Sequence, residues 1–260
     1  MRIAKPSSHP PSHPEKIRVL SYNIHQGLTI HRRNIAISLL KEAIKSLGAQ
    51  VVMLQEVAGS TKGTGRNRDL ISTFQLEELA DAIWPYYAYQ KNAISGGGFH
   101  GNAILSAYPI VTWEHVDLSV PLLDKRGLLH GEIRIPETGE RFHALAVHLG
   151  LLQYERKLQL KKMCDYIRRE IPGDAACFLG GDFNDWRQRA SGGILKRVGM
   201  HEAFYVTHLE HAKTFPSRLP LLRLDRIYFK NASLTRARCL KGQPWQFLSD
   251  HLPISADFVI

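Results

Sequence analysis

In Ala175-Ala176-Cys177-Phe178-Leu179-Gly180-Gly181-Asp182-Phe183-Asn184-Asp185-Trp186, an apolar run meets a glycine pair and then a series of polar side chains. The apolar residues read as a buried strand, and the two glycines are expected to let the backbone turn sharply as it ends. Asp182 and Asn184 stand two residues apart. In extended geometry their side chains therefore point to one side, an acidic acceptor beside a neutral amide. That pair is suited to gripping a phosphate centre and a hard metal ion together. Taken alone, the stretch reads equally well as a strand followed by an ordinary Asp/Asn turn, so the rest of the chain decides its meaning.

Upstream, Arg141 to His148 forms another strand whose apolar core, Ala144-Leu145-Ala146-Val147, closes on His148. A lone histidine in such a place serves either structure or catalysis. An amphipathic helix is expected from Gln153 to about Glu170. Leu158, Leu160, Met163 and Ile167 would face inward, and Arg156, Lys157, Lys161, Arg168 and Arg169 would form a basic outer face. Before these come a strand from Leu128 to Ile135 and the basic turn Lys125-Arg126-Gly127. Downstream, a helix is expected over Arg187 to Val198. Thr214-Phe215-Pro216 then opens a loop carrying Arg218, Leu219, Leu221, Leu222 and Arg223, which runs into Leu224-Asp225-Arg226-Ile227-Tyr228-Phe229. Ser249-Asp250-His251-Leu252-Pro253 places an acid next to an imidazole before the closing strand. Neighbours in a strand face opposite ways, so Asp250 and His251 are expected to do different work.

Toward the N-terminus, Ile17 to His25 is a β-rich run with Asn23 near its carboxyl end, where open α/β sheets collect ligands. A helix is expected from Arg33 to Ser46, stopped by Gly48. Gln50 to Val57 is a nearly continuous apolar strand interrupted by Glu56, a carboxylate that needs either a cation or a salt-bridge partner. Ala58 to Leu70, with Lys62, Arg66 and Arg68, reads as an exposed basic loop. Thr73 to Ile83 reads as a helix, Tyr86 to Tyr89 as a strand, and Gly96-Gly97-Gly98 as a turn before Gly101-Asn102.

The 260 residues, 44% hydrophobic, suffice for one α/β domain over 16–260, preceded by a flexible Pro/Ser/His-rich arm over 1–15. A net charge of +10 points to an anionic partner, whether nucleic acid, phospholipid surface or phosphorylated metabolite. Cys164, Cys177 and Cys239 lack CxxC spacing, which argues against a disulfide scaffold or a zinc site. With no secretory or membrane-spanning apolar segment in view, a cytoplasmic monomer with no obligate protein partner is expected.

The candidates at expected strand ends are oxygen donors and imidazoles. Such a set suits magnesium or manganese together with proton transfer, as in phosphodiester hydrolysis. Tyr22-Asn23-Ile24-His25, Leu54-Gln55-Glu56, Gly101-Asn102, Val147-His148, Gly181-Asp182-Phe183-Asn184, Leu224-Asp225-Arg226-Ile227 and Ser249-Asp250-His251-Leu252-Pro253, taken together and in this order, resemble the endonuclease/exonuclease/phosphatase superfamily. Gly181 to Arg187 and Thr214-Phe215-Pro216 are similar to a bacterial subgroup of it. The resemblance implies a four-layer αββα sandwich of two packed mixed β-sheets flanked by helices, with the site at one rim. It implies Glu56 as principal ligand of a magnesium ion, or of manganese in its place, helped by Asn23 and Asp250. His251 would be the general base, oriented by Asp225. Asp182 and Asn184 would position nucleophile and phosphate, and His148 would be a second imidazole. Asn102 and Arg126 are expected to bind substrate.

A histidine at 148 resembles the deoxyribonuclease and sphingomyelinase branch. Those enzymes pair it with a glutamate from the region before Gly101, whereas Pro85 to His100 holds no acid. Nucleic acid is the expected substrate. The alternative is a phospholipid phosphodiesterase or phosphatase at a membrane surface, with Leu219, Leu221 and Leu222 either inserted in lipid or packed as a plug against the sheet rim. A catalytically inactive nucleic-acid-binding module is a third reading, disfavoured by so many converging acids.

Overall fold

The computed structural model describes residues 15–27, 33–60, 76, 79–80, 84–95, 98–188, 193 and 197–260. Among them lie strands β1 (Lys16–Asn23), β2 (Val51–Ser60), β3 (Tyr86–Ser95), β4 (Gly98–Ser106), β5 (Ile110–Asp117), β6 (Gly127–Arg134), β7 (Arg141–His148), β8 (Ala176–Asp182), β9 (His201–Glu202), β10 (Asp225–Lys230), β11 (Ser233–Cys239) and β12 (Ile254–Val259). The helices are α1 (Arg33–Lys45), α2 (Gln153–Glu170), α3 (Ala203–His208) and α4 (Trp245–Leu248). Two six-stranded sheets form, in the orders β11-β12-β1-β2-β4-β3 and β5-β6-β7-β8-β10-β9. Both are mixed: β1 and β2 are parallel, as are β7 and β8, within otherwise antiparallel pairings.

The side-chain period of two explains the layering. Along β1, Ile17 and Val19 join the core between the sheets, and Leu20 and Tyr22 join the outer core under α1. Along β7 and β8, Phe142, Ala144, Ala146, Ala176 and Phe178 face the other sheet, while Leu145, Val147, Cys177 and Leu179 meet Met163, Cys164 and Ile167 of α2. Helix, sheet, sheet, helix is the result. Each large apolar side chain so buried contributes roughly 1.5–3 kcal/mol.

The glycine pair has a different purpose from the expected turn. Gly180 and Gly181 both lie inside β8. A Cβ on Gly180 would stand 2.4 Å from Met53 Cε, and one on Gly181 would stand 1.9 Å from the Val147 carbonyl oxygen. Their bareness lets β8 approach the facing sheet on one side and β7 on the other. The chain turns later, at Asn184, whose φ is 50°.

Helix α2 also departs from the periodic reading. Arg156 is buried, and the inner face is Glu155, Arg156, Gln159, Met163, Cys164, Tyr166 and Ile167, with Leu158 and Leu160 half-buried. The polar first half of that face holds the loop after β7. Arg156 Nη1 donates to the Gly150 carbonyl at 3.2 Å, and Gln159 Oε1 accepts from Gly150 N at 2.8 Å.

Residues 58–60 extend β2, whereas 61–70, with Lys62, Arg66 and Arg68, lie outside the described residues. So do the expected arm up to residue 14, the turn at 96–97 and most of the helices expected over 73–83 and 187–198. Glu15 is already tied in, pairing its backbone with Ile260 and accepting from Tyr108 Oη at 2.8 Å. No helix among the described residues is long and apolar enough to cross a membrane.

Candidate active site

The inward-facing series that builds the central core ends, strand by strand, in polar groups. On β1 it continues from Val19 through Ser21 to Asn23, on β7 from Ala146 to His148, on β8 from Gly180 to Asp182, and on β10 from Ile227 back to Asp225. Register then sets these ends side by side, with His148 opposite Asp182 and Asp182 opposite Asp225. Glu56 breaks the period, since simple alternation would send it outward with Val52 and Leu54. A bulge between Leu54 and Val57, with Glu56 at φ 56°, turns its carboxylate inward. A non-glycine residue in that region stores strain of roughly 1–3 kcal/mol, as sites that over-determine one side chain do.

Asp182 is the hub. Its Oδ2 accepts from Asn23 Nδ2 at 3.1 Å and lies 3.6 Å from His148 Nε2 and 3.7 Å from His251 Nε2. Its Oδ1 accepts from the Asn184 backbone at 2.8 Å, so Asp182 and Asn184 form a local turn and not two rungs of one strand face. The Asn184 amide donates to the Leu149 carbonyl at 2.9 Å and still lines the cleft. His251 Nδ1 stands 2.9 Å from Asp225 Oδ2, the pairing expected of them. Asp225 Oδ1 is buried without a hydrogen-bond partner.

Two loops hold this arrangement. Ser249 Oγ donates to the Asn23 carbonyl at 2.7 Å and accepts from His251 N at 3.3 Å, which pins the Asp250-His251 step to the end of β1. The Thr214-Phe215-Pro216 loop bonds to Leu252 N and Asp250 O through its backbone and packs Phe215 against the His251 ring at 5.0 Å between centroids. Arg226, fully buried, donates to the Asp225 carbonyl at 3.0 Å and steadies the other approach.

Burial and neighbours drive the two imidazoles apart. Burial works against charge on His251, but the Asp225 carboxylate outweighs it, with help from Asp182 and Asp250, and the pKa is raised to about 10. His148 is held well below the ordinary range, first by burial and then by the charges of Arg126, His251 and His100. It is the neutral partner. The missing glutamate before Gly101 has no substitute at hydrogen-bond distance among the described residues: the acids facing His148 are Asp182 and, at 4.0 Å, Glu56. Asp182 is pushed up to about 6 by burial and by Asp225, against the opposing effects of His251, the Asn184 N–H and Asn23.

A divalent cation fits these residues. Three carboxylates, Glu56, Asp182 and Asp250, line one cleft of about 450 Å³, and the buried Asp225 carboxylate belongs to the same cluster, its ligand atom within 4.8 Å of that of Asp182. The orphaned Asp225 oxygen is one more acceptor, and hard oxygen donors suit such an ion. Of the expected ligands, Asn23 gives its Nδ2 to Glu56 Oε1 at 3.3 Å and receives His25 N on Oδ1 at 3.1 Å. His25 received no role from the sequence. Its Nδ1 stands 3.7 Å from Glu56 Oε2 and 3.5 Å from Asp250 Oδ2, between the two carboxylates. The signal was present in the Tyr22 to His25 motif, but the left-handed backbone that bends His25 back, φ 44°, was not legible.

The two expected substrate contacts differ. Asn102 has no exposed surface and donates to the Gly127 and Ala146 carbonyls at 2.9 and 3.3 Å. It clamps β4 to the opposite sheet and does not line the cleft. Arg126 does line the cleft, with His100, Leu151, Trp186 and Leu222, none of which the sequence singled out as cleft residues. Trp186 is half exposed with the Arg187 guanidinium 4.4 Å above its ring. Leu219 and Leu221 are 65% and 58% exposed, so of the two readings of this loop the packed plug is not formed.

The family model described as Endonuclease/Exonuclease/phosphatase family matches residues 20–251. Uncharacterized protein YbhP of Escherichia coli (strain K12) is 41% identical over 241 residues, covering 92% of this chain and 95% of that protein. An endonuclease/exonuclease/phosphatase family protein from Leptotrichia buccalis C-1013-b superposes with a TM-score of 0.75 at 20% identity, over 92% of this chain and 98% of its own. D. rerio TDP2 complexed with single strand DNA product superposes at 0.69 and 18% identity, over 94% and 98%.

Proposed function

The chain belongs to the endonuclease/exonuclease/phosphatase family of phosphoester hydrolases, and from that premise we propose that it is a magnesium-dependent phosphodiesterase acting on nucleic acid. The observation that carries the chemistry is Asp182 Oδ2 standing within 3.7 Å of two imidazoles, His251 paired with the Asp225 carboxylate, which raises its pKa, and His148 buried, which lowers its own. Pairs of titratable groups pushed apart in this way divide acid and base work.

The division differs from the one the resemblance implied. Asp182, ionised above about pH 6 and close to the operating pH, takes the proton of the attacking water. His251, kept protonated by Asp225, donates to a phosphoryl or leaving oxygen, and a residue charged at neutral pH is no base. His148, neutral, orients the water from the other side of Asp182. Asn23 keeps the Asp182 carboxylate in place, and Asn184 fixes the turn behind it. Glu56 and Asp250, with Asn23 beside them, would hold the magnesium ion, which supplies neutralisation of the phosphoryl charge when bound.

The nucleic-acid substrate is supported by the net charge of +10, by the Trp186–Arg187 stack at the cleft mouth, where a base can lie on an aromatic face, and by the DNA product carried by TDP2 on the same fold. A second reading, a lipid phosphodiester at a membrane surface, is favoured by the exposed Leu219 and Leu221 beside the cleft residue Leu222. Purified protein with magnesium or manganese, incubated in parallel with plasmid DNA, single-stranded RNA and anionic phospholipid vesicles, separates the two. Nucleic-acid cleavage that is lost in Glu56→Gln and His251→Ala is expected. Head-group release without nucleic-acid cleavage would replace the first reading by the second.

A further inference from the structure

Next to the catalytic cleft lies a second recess of about 320 Å³, lined by Lys91, Asn92, His115, Lys125 and Arg126 among others. Arg126 lines both hollows and so forms the wall between them. It is 7% exposed, and its Nε and Nη1 have no hydrogen-bond partner. The acid beside it, Asp124, is 3.7 Å from Nη2 and mostly in solvent, where an ion pair contributes little. Asp117, the carboxylate within the recess, is committed to Ser119 N at 2.8 Å.

Asn92, which lines the recess, has its Oδ1 unpaired, and behind the lining Gln90, 2% exposed, has both amide atoms without partners. Glycine at 127 is what admits them: a Cβ there would stand 1.5 Å from Gln90 Nε2 and 2.9 Å from Asn92 Oδ1. Each buried polar group left unsatisfied costs roughly 1–3 kcal/mol, so the guanidinium donors of Arg126, unpaired in the wall of the recess, point to a ligand that pairs them. The planar guanidinium fork matches phosphate oxygens, and Lys91 and Lys125 add positive charge.

We infer that this recess is a subsite for a second phosphate, the one adjoining the scissile phosphodiester on a nucleic-acid strand, with Arg126 as its principal contact. The inference rests on the nuclease reading. It makes the favoured substrate a chain with phosphates in series and not an isolated phosphodiester.

Calorimetric titration in calcium, without turnover, would compare thymidine 3′,5′-bisphosphate with thymidine 3′- and 5′-monophosphates. The bisphosphate is expected to bind at least tenfold tighter than either monophosphate. Arg126→Gln is expected to shrink that advantage below threefold, and Lys125→Ala, at an exposed position that spares the fold, to reduce it at least twofold. Equal affinities in the unmodified protein, or an advantage retained in both variants, would overturn the subsite. Plasmid and RNA cleavage in magnesium is measured on the same preparations. Cleavage without the bisphosphate advantage removes the subsite alone, whereas no cleavage of either nucleic acid removes the nuclease reading and the strand subsite with it.

Discussion

Replacing Gly181 by alanine should damage this protein far more than the same change one residue earlier. The added Cβ at 181 meets the Val147 carbonyl oxygen at 1.9 Å and the Val147 carbonyl carbon at 2.8 Å. An ordinary carbon–oxygen contact is about 3.3 Å, so β7 and β8 must part by roughly 1.4 Å, and backbone cannot swing aside as a side-chain tip can. Losing two or so ladder hydrogen bonds at about 1 kcal/mol each, with repacking of about 1–3 kcal/mol, gives an expected cost of roughly 3–5 kcal/mol. The strands that part carry His148 and Asp182 opposite one another, and a misplacement of about 1 Å costs on the order of 100-fold in kcat. At Gly180 the clash is with Met53 Cε at 2.4 Å and Ser21 Cβ at 3.1 Å. The end of a thioether chain can rotate away, so about 1–2 kcal/mol and a much smaller loss of rate are expected. Urea unfolding, with hydrolysis of bis(p-nitrophenyl) phosphate in magnesium, reads both quantities. If Gly181→Ala were as stable and as active as Gly180→Ala, the close-approach account of the glycine pair would be wrong.

The pH profile of kcat should rise as Asp182 ionises near 6, stay level, and fall as His251 loses its proton near 10; a rate that keeps climbing to pH 10 would mean that His251 is the base after all. Asp225→Asn preserves shape but removes the charge that holds the imidazolium, and a loss of about 10³–10⁴ in kcat is expected, as for the corresponding swap in a serine-protease triad; a variant within tenfold of the unmodified enzyme would refute the coupling. Far from the site, Tyr166 Oη donates to Glu114 and so receives the His130 Nδ1 proton, which leaves His130 Nε2 to accept from His143 Nδ1 at 2.9 Å. Burial and then the charge of His143 lower His130 from 6.5 to about 4. Because the folded value lies below the unfolded one, the stability this confers, roughly 3 kcal/mol at most, is full above pH 6.5 and is lost as pH falls toward 4. An NMR titration showing His130 protonating above pH 6 would contradict this relay.

Alternation and apolar runs are local properties, and they sufficed to place strands β1, β2, β7, β8 and β10, helix α2, and the polar ends at Asn23, His148, Asp182 and Asp225. The joint order of motifs carried the family and, with it, the two-sheet sandwich. What the chain's order does not contain is where long-range contacts bend or cover a residue. Glu56 faces the cleft because a bulge against β4 overrides its parity, and His25 reaches Glu56 and Asp250 because the backbone turns left-handed after β1. Asn102 and Arg126 look alike in sequence as polar residues beside glycines, yet packing makes one a clamp between sheets and leaves the other buried with unpaired donors. The charge states of His148 and His251 were equally out of reach. An imidazole's pKa depends on how deeply it is buried and which carboxylate stands within 3 Å, and both are set only when strands distant in sequence come into register.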